Sequence, residues 1–155
     1  MGRLSTQREG TREISDPGVD TPIAGSKSLE KSPKTILIVD DNEDILSFMQ
    51  AALENAGYDV GIAAEGAQAL ARQAEHRADL LITDIFMPGQ DGIETLRECR
   101  LRFPQTRIIV MSAGGGAHKR LDYLPAAALI GANATLQKPF GVNQLLDAVR
   151  AVMQL

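Results

Sequence analysis

The chain has 155 residues, of which 44% are hydrophobic and 23% charged, and its formal net charge is −4. This length suffices for one domain, and the composition is typical of a soluble globular protein without a membrane span. The acidic balance argues against direct contact with nucleic acid or an anionic membrane surface. The single cysteine, Cys99, cannot form an internal disulfide, which indicates a reducing, cytoplasmic setting and excludes a cysteine-rich zinc site.

Residues 1–34 differ in composition from the rest of the chain. They hold six basic and five acidic residues, no aromatic residue, and many Gly, Ser, Thr and Pro. Such a segment cannot bury enough apolar surface to offset the entropy lost on ordering. We therefore predict a disordered tail over 1–34 and a folded domain over 35–155.

The first predicted pair of elements is a strand over 36–39 and a helix over 43–56. The strand is a continuous apolar run, which is typical of a strand buried on both faces. Asn42 is suited to cap the helix and Gly57 to end it. The apolar positions that share one face of this helix are Ile45, Phe48, Met49, Ala52 and Leu53.

The second predicted pair is a strand over 58–63 and a helix over 65–76. The strand alternates apolar and other residues, which is a pattern typical of β-strands. Apolar residues recur at helical spacing in the helix. We expect its buried face to consist of Ala67, Leu70, Ala71 and Ala74.

The same alternation continues along the chain. The remaining predicted elements are strands over 80–83, 107–111 and 134–137 and helices over 91–102, 117–130 and 141–153. Five strands that alternate with five helices predict an α/β fold, in which helices cover both faces of a parallel sheet.

Polar side chains follow four of the predicted strands at the point where each strand ends. These residues are Asp40 and Asp41, Asp84, Ser112, and Lys138. The carboxyl ends of parallel strands meet at one edge of a sheet, where ligands bind. We therefore expect three carboxylates, a hydroxyl and an ammonium to lie close together.

This set of groups is suited to phosphoryl transfer to a carboxylate. Three neighbouring carboxylates repel one another, and Mg²⁺ relieves that repulsion. An aspartate can attack phosphorus, while a metal and a lysine neutralise the phosphoryl oxygens. Asp84 is the expected nucleophile because it stands alone after a central strand, whereas the adjacent pair Asp40 and Asp41 suits a metal.

These residues resemble the receiver domains of two-component response regulators. Each matching segment is short, but all occur in the order found in that family. The segments are 36–42, 65–70, 81–89 together with Asp91-Gly92, 109–113 and 138–140. The resemblance covers about residues 35–153 and implies a flavodoxin-like (βα)5 doubly wound sheet with strand order 2-1-3-4-5.

The resemblance also implies a role for each site residue. Asp84 would accept the phosphoryl group, and Ser112 and Lys138 would contact it. The Mg²⁺ ligands would be Asp40, Asp41, Asp84 and the backbone carbonyl of Phe86, and the Lys138–Pro139 bond would be cis. The phosphoryl donor would be a phosphohistidine of a histidine kinase or of a histidine phosphotransfer protein in a phosphorelay.

Two positions depart from the common receiver pattern. Many receivers carry an aromatic residue three positions before the lysine, and Thr135 stands there in this chain. The triple glycine 114–116 follows the fourth predicted strand and resembles a subset of stand-alone receivers with a glycine-rich loop. How the signal leaves the site is therefore not given by the usual aromatic switch.

We expect a single-domain phosphoacceptor rather than an enzyme, because the last predicted helix ends beside Leu155 and the tail is too short and polar for a DNA-binding module. Its output would be contact with an unknown downstream protein or a relay of the phosphoryl group. One alternative is a pseudo-receiver that binds partners without using phosphate. Another is a haloacid dehalogenase-type phosphatase, although that type needs Asp-x-Asp on the first strand, where this chain has Asp40-Asp41-Asn42.

Overall fold

The computed structural model describes residues 34–87, 90–112 and 131–155. The first 33 residues of the predicted tail, the triple glycine and the helix predicted over 117–130 lie outside the described residues.

The described part of the chain holds five parallel strands, a short antiparallel hairpin and four helices. The parallel strands are β1 (Thr35–Val39), β2 (Asp59–Ala63), β3 (Leu80–Asp84), β6 (Arg107–Ser112) and β7 (Ala134–Gln137). The hairpin consists of β4 (Phe86–Met87) and β5 (Gln90–Asp91). The helices are α1 (Glu43–Asn55), α2 (Gly66–Glu75), α3 (Gly92–Arg102) and α4 (Val142–Met153). The hairpin was not predicted, whereas each other element lies within one residue of its predicted bounds.

The order of the strands in the sheet is β2-β1-β3-β6-β7. Counted along the chain without the hairpin, this is the predicted 2-1-3-4-5 order of the flavodoxin-like fold, so the predicted fold is confirmed. The order places β3 between β1 and β6, and all five residues of β3 are buried. The site residue at its carboxyl end, Asp84, therefore projects from the middle of the sheet.

Two apolar layers cover the two faces of the sheet. Side chains of α1 and α4 pack on one face against Ile36, Ile38 and Ile82. Side chains of α2 and α3 pack on the other face against Leu37 and Val110. Alternate residues of the central strands point to opposite layers, which explains why these strands are apolar throughout.

The buried faces of α1 and α2 differ from those predicted. In α1, Leu46 is buried while Phe48 is 37% exposed. In α2 the buried residues are Gly66, Ala69 and Gln73, so the predicted stripe of Ala67, Leu70, Ala71 and Ala74 is wrong except for the half-buried Leu70. The spacing of apolar residues could not indicate this face, because one of its buried members, Gln73, is polar.

Gln73 can be buried because its amide has partners on both of its polar atoms. Its Nε2 atom donates to Thr106 Oγ1 at 2.8 Å and to the carbonyl oxygen of Ala78 at 3.1 Å. Its Oε1 atom accepts from the backbone N–H of Ala78 at 3.0 Å. These hydrogen bonds offset the cost of removing the amide from water and join the end of α2 to the loop before β6.

Candidate functional site

Three carboxylates meet at the carboxyl edge of the sheet. Asp40 follows β1, Asp41 comes next in the chain, and Asp84 ends β3. One carboxylate oxygen from each lies within 4.8 Å of the others. Asp40 and Asp84 are buried and Asp41 is exposed, so the cluster is closed towards the sheet and open towards solvent.

Lys138, which follows β7, reaches across the sheet edge to two of these carboxylates. Its Nζ atom lies 2.7 Å from Asp40 Oδ2 and 3.2 Å from Asp84 Oδ2. Burial by itself lowers the pKa of Lys138, but the hydrogen bond to Asp40 and the charges of Asp84 and Asp40 outweigh it, so this pKa lies above its usual value. Lys138 is therefore a cation at neutral pH.

Ser112 ends β6, the strand between β3 and β7. Its side chain is completely buried, and its Oγ atom has no hydrogen-bond partner among the described residues. Its carbonyl oxygen accepts the backbone N–H of Lys138 at 2.8 Å. A buried hydroxyl without a partner is costly, so this group is available to donate to a ligand at the edge.

The position of Asp40 is fixed by the turn that leads into α1. Its backbone N–H donates to the carbonyl of Ala63 at 3.1 Å, and its Oδ1 atom accepts from the N–H of Asn42 at 2.9 Å. Asn42 caps α1 as predicted, because its Oδ1 atom accepts from the N–H groups of Asp44 and Ile45. The loop that places both Asp40 and Asp41 is therefore held at its two ends.

Gly92 holds the segment that follows Asp84, a role that was not predicted from its place in the sequence pattern. A Cβ atom built on Gly92 would lie 2.5 Å from the Cα atom of Ile85 and 2.6 Å from the carbonyl oxygen of Asp84. The N–H of Gly92 donates to the carbonyl of Ile85 at 3.1 Å. The start of α3 thus packs directly on the backbone beside the central carboxylate, and a glycine after an acid at a helix start was the available sequence signal.

The remaining expected positions have mixed outcomes. The Lys138–Pro139 peptide bond is cis, as the resemblance implied. Phe86 begins β4, two residues after Asp84, and its role as a backbone metal ligand stays a prediction. Thr135, where many receivers have an aromatic residue, is exposed on β7.

The donor set of this edge fits Mg²⁺. Mg²⁺ prefers one or two carboxylates together with waters and phosphate oxygens, and the oxygens of Asp40, Asp41 and Asp84 are close enough to share one ion. With one lysine among three carboxylates, the edge also carries excess negative charge that a divalent cation would neutralise.

No helix among the described residues is long and apolar enough to cross a bilayer.

Comparison with known proteins supports the class that this fold and site define. The profile described as the response regulator receiver domain matches residues 36–150. The chain therefore belongs to the response regulator receiver family. This result argues against the haloacid dehalogenase alternative, in which the nucleophile belongs on the first strand.

Curated relatives of two lengths resemble this chain. It is 35% identical over 120 residues to sporulation initiation phosphotransferase F of Bacillus subtilis (strain 168), and the match covers 77% of this chain and 94% of that protein. It is 36% identical over 119 residues to the uncharacterized transcriptional regulatory protein YkoG of the same organism, and that match covers 77% and 50% respectively. The chain thus spans about half the length of YkoG and of the regulator CpxR of Klebsiella pneumoniae.

Solved structures with the same fold include two receiver proteins. The chemotaxis response regulator CheY4 of Vibrio cholerae is 30% identical, with a TM-score of 0.69 and coverage of 77% of this chain and 98% of that one. A CheY-like response regulator receiver domain protein from Methanospirillum hungatei JF-1 is 29% identical, with a TM-score of 0.72 and coverage of 79% and 95%.

Proposed function

We propose that Asp84 accepts a phosphoryl group from a phosphohistidine of a sensor kinase or of a histidine phosphotransfer protein. The observation that supports this most directly is the position of the Lys138 ammonium. It lies within hydrogen-bond distance of both Asp84 and Asp40 at an edge that also holds Asp41. A cation shared by the expected nucleophile and the expected metal ligands suits charge that develops on a transferred phosphoryl group.

In the proposed step, a carboxylate oxygen of Asp84 attacks phosphorus as the P–N bond of the phosphohistidine breaks. The electron pair of the broken bond stays on the imidazole nitrogen, which is then protonated. Lys138 neutralises a phosphoryl oxygen, and the Ser112 hydroxyl donates a hydrogen bond to another. The buried, unpartnered state of the Ser112 hydroxyl supports this role, because the phosphoryl group would supply the missing acceptor.

A magnesium ion would be held by Asp40, Asp41, Asp84 and the backbone carbonyl of Phe86. When bound, it supplies positive charge to the phosphoryl oxygens and to the incoming carboxylate. Other protein residues position the carboxylates. Asn42 and Ala63 orient Asp40, and Gly92 fixes the backbone of Asp84.

The resulting acyl phosphate would be lost by attack of water on phosphorus or by transfer to another histidine. The chain would then act in a phosphorelay as a signalling domain and turn over no outside substrate. Its output would be a contact with another protein, made when the charge around Lys138 is redistributed from Asp40 to the phosphoryl group. A phosphotransferase and transcriptional regulators among its relatives are consistent with this role.

The test is incubation with acetyl phosphate or phosphoramidate and Mg²⁺, followed by intact-protein mass spectrometry. Wild type should gain one acid-labile phosphoryl group, and Asp84→Asn should gain none. Asp147→Asn is the matched control, because Asp147 is an exposed acid on α4 that does not belong to the carboxylate cluster. Incorporation by Asp84→Asn at the wild-type level would refute the assignment. No incorporation by wild type would favour the pseudo-receiver, and steady hydrolysis of phosphate esters would favour a phosphatase.

A further inference from the structure

Arg100, near the C-terminal end of α3, joins three segments through one guanidinium group. Its Nη1 atom donates to the carbonyl oxygens of Pro104 and Thr106 at 3.0 and 2.9 Å. Its Nη2 atom donates to the carbonyl oxygen of Gly131 at 2.8 Å and lies 3.4 Å from Asn133 Oδ1. The contacts of Arg100 with Gly131 and Asn133 connect α3 to the segment that leads into β7.

The shape of the chain at Gly131 fits the Arg100 side chain closely. Gly131 has φ of +123°, in the left-handed region that side chains rarely adopt. A Cβ atom built there would lie 3.1 Å from Arg100 Nε. The backbone conformation therefore favours glycine, and a side chain at this position would also push the Arg100 side chain by a few tenths of an ångström.

Asn133 connects the Arg100 side chain to strand β6 of the sheet. Its backbone N–H donates to the carbonyl of Ile108 at 2.7 Å, and its Oδ1 atom accepts the N–H of Ile108 at 2.8 Å. Asn133 thus bonds both the N–H and the carbonyl of Ile108, one through its side chain and the other through its backbone. This pairing lies one position before the first ladder pair of β6 and β7, Ile109 with Ala134.

The register of β7 has little other support. Among the described residues this strand pairs only with β6, and of its four residues Leu136 is buried and the small Ala134 is partly buried against the same apolar layer. A hydrophobic pattern specifies register where one face of a strand is buried, and in β7 that face offers only Ala134 and Leu136. A slip of one residue would move each side chain by about 3.3 Å and turn it to the other face.

The ladder that begins at Asn133 ends at the site. The last pair is Ser112 with Gln137, and the next N–H, that of Lys138, donates to the carbonyl of Ser112. We infer that Arg100 is a positioning residue for Lys138, which it sets in place by fixing the register of β7 from the opposite end of the sheet. The link to phosphoryl transfer rests on the proposed function.

A purely local role would explain only half of these contacts. Basic side chains often bond the last carbonyls of a helix and the turn beyond it, as Arg100 does with Pro104 and Thr106. The contacts with Gly131 and Asn133 do not belong to the helix end. They are the ones that the experiment must separate from a local capping role.

The test compares Arg100→Gln with Arg102→Gln. Arg102 lies on the same helix, and its described contact is with the ring of Phe103, 5.2 Å from the centroid. The first measurement is hydrogen exchange of the Lys138 amide in the absence of ligand, relative to the Ile82 amide in the central strand. In Arg100→Gln the Lys138 amide should lose about tenfold more protection than the Ile82 amide, and in Arg102→Gln both should change alike.

The second measurement is binding of beryllofluoride, an analogue of the phosphoryl group, at saturating Mg²⁺. Its affinity should fall about tenfold in Arg100→Gln, because the ammonium is displaced, while the affinity for Mg²⁺ alone should not weaken. Combining Arg100→Gln with Lys138→Ala should cause no loss beyond that of Lys138→Ala. Arg100→Lys, which keeps the charge but has one donor group in place of the two guanidinium nitrogens, should act in the same direction and serves if Arg100→Gln does not fold.

Each result decides between the readings. Equal loss of protection at Lys138 and Ile82 in Arg100→Gln would overturn the positioning role. If wild type binds beryllofluoride, an Arg100→Gln variant that binds it with unchanged affinity would overturn the role too. Additive losses in the double variant would overturn it as well. If wild type binds no beryllofluoride, the proposed function fails, and the exchange measurement alone decides whether Arg100 fixes Lys138.

Discussion

Gly92 lies so close to Asp84 that a Cβ atom on Gly92 would be 2.6 Å from the Asp84 carbonyl oxygen. Atoms of the backbone cannot yield at such a distance without moving the chain that they belong to. The segment that would move carries the central carboxylate of the site. The absence of a side chain at Gly92 is therefore a condition for the position of Asp84.

We predict that Gly92→Ala destabilises the protein by about 1–3 kcal/mol through overpacking and also slows phosphorylation by acetyl phosphate. The rate should fall because the displaced backbone takes the Asp84 carboxylate away from Lys138. Gly141→Ala is the control, since Gly141 precedes α4 and a Cβ atom there meets nothing within 4 Å. Urea unfolding and intact-protein mass measure the two effects. A wild-type phosphorylation rate in Gly92→Ala would contradict this prediction.

Asp41 should contribute to metal binding and little to stability. Its side chain is exposed and forms no hydrogen bond or ion pair that the described structure shows. In EDTA, Asp41→Asn should change the free energy of unfolding by no more than about 0.5 kcal/mol. Wild type should gain about 2.7 kcal/mol when the Mg²⁺ concentration is 100 times its dissociation constant, and the variant should lose most of that gain.

Thermal unfolding with and without Mg²⁺ measures the effect of Asp41→Asn. Asp147→Asn removes an exposed carboxylate outside the cluster and should keep the full response to Mg²⁺. An equal response in Asp41→Asn and wild type would show that this carboxylate does not bind the ion.

Gly61 in the edge strand β2 and Gly57 just before it should respond to alanine with opposite changes in the free energy of unfolding. Gly61 lies within β2, and a Cβ atom there would contact Leu37 Cδ1 at an ordinary 3.6 Å. Gly61→Ala should stabilise the protein by about 0.5–1 kcal/mol, because alanine loses less backbone entropy on folding. Gly57 has φ of +98°, so Gly57→Ala should destabilise it by about 1 kcal/mol although the space is open. Urea unfolding of both variants tests the pair, and effects of the same sign would contradict it.

We predict that the buried thiol of Cys99 lowers the free energy of unfolding at high pH. Burial raises the pKa of its thiol from 9.0 to about 11, against the attraction of Arg100 and Arg102 for the thiolate. Below pH 9 the thiol is protonated in both the folded and the unfolded chain. Between pH 9 and about 11 the unfolded chain releases the proton first, so the free energy of unfolding falls as the pH rises.

We expect this fall to be about 2–3 kcal/mol larger in wild type than in Cys99→Ala over that range. The substitution lowers stability at neutral pH by leaving a cavity, so the comparison is between slopes and not between absolute values. Urea unfolding at several pH values supplies both slopes. Parallel profiles would mean that the thiol ionises equally easily in the two states.

Prediction from sequence failed where a polar side chain has a distant partner. The face of α2 was misplaced because Gln73 is buried, and its partner Thr106 lies 33 residues further along the chain. Arg100 was likewise read only as part of a helix, although its contacts reach Gly131 and Asn133. Neither pattern is visible in hydrophobic spacing, because a hydrogen bond between distant residues leaves no period in the sequence.

Local sequence patterns predicted the order of strands and helices, the parallel sheet, and the type of group at the end of each strand. These follow from local patterns: continuous apolar runs, helical spacing, and polar residues that stand directly after a strand. The folded chain was needed to show that Lys138 bonds both Asp40 and Asp84, that the Ser112 hydroxyl is buried, and that Gly92 packs on the Asp84 backbone. Distances between residues far apart in the chain depend on register, twist and packing of the whole sheet, which no short segment encodes.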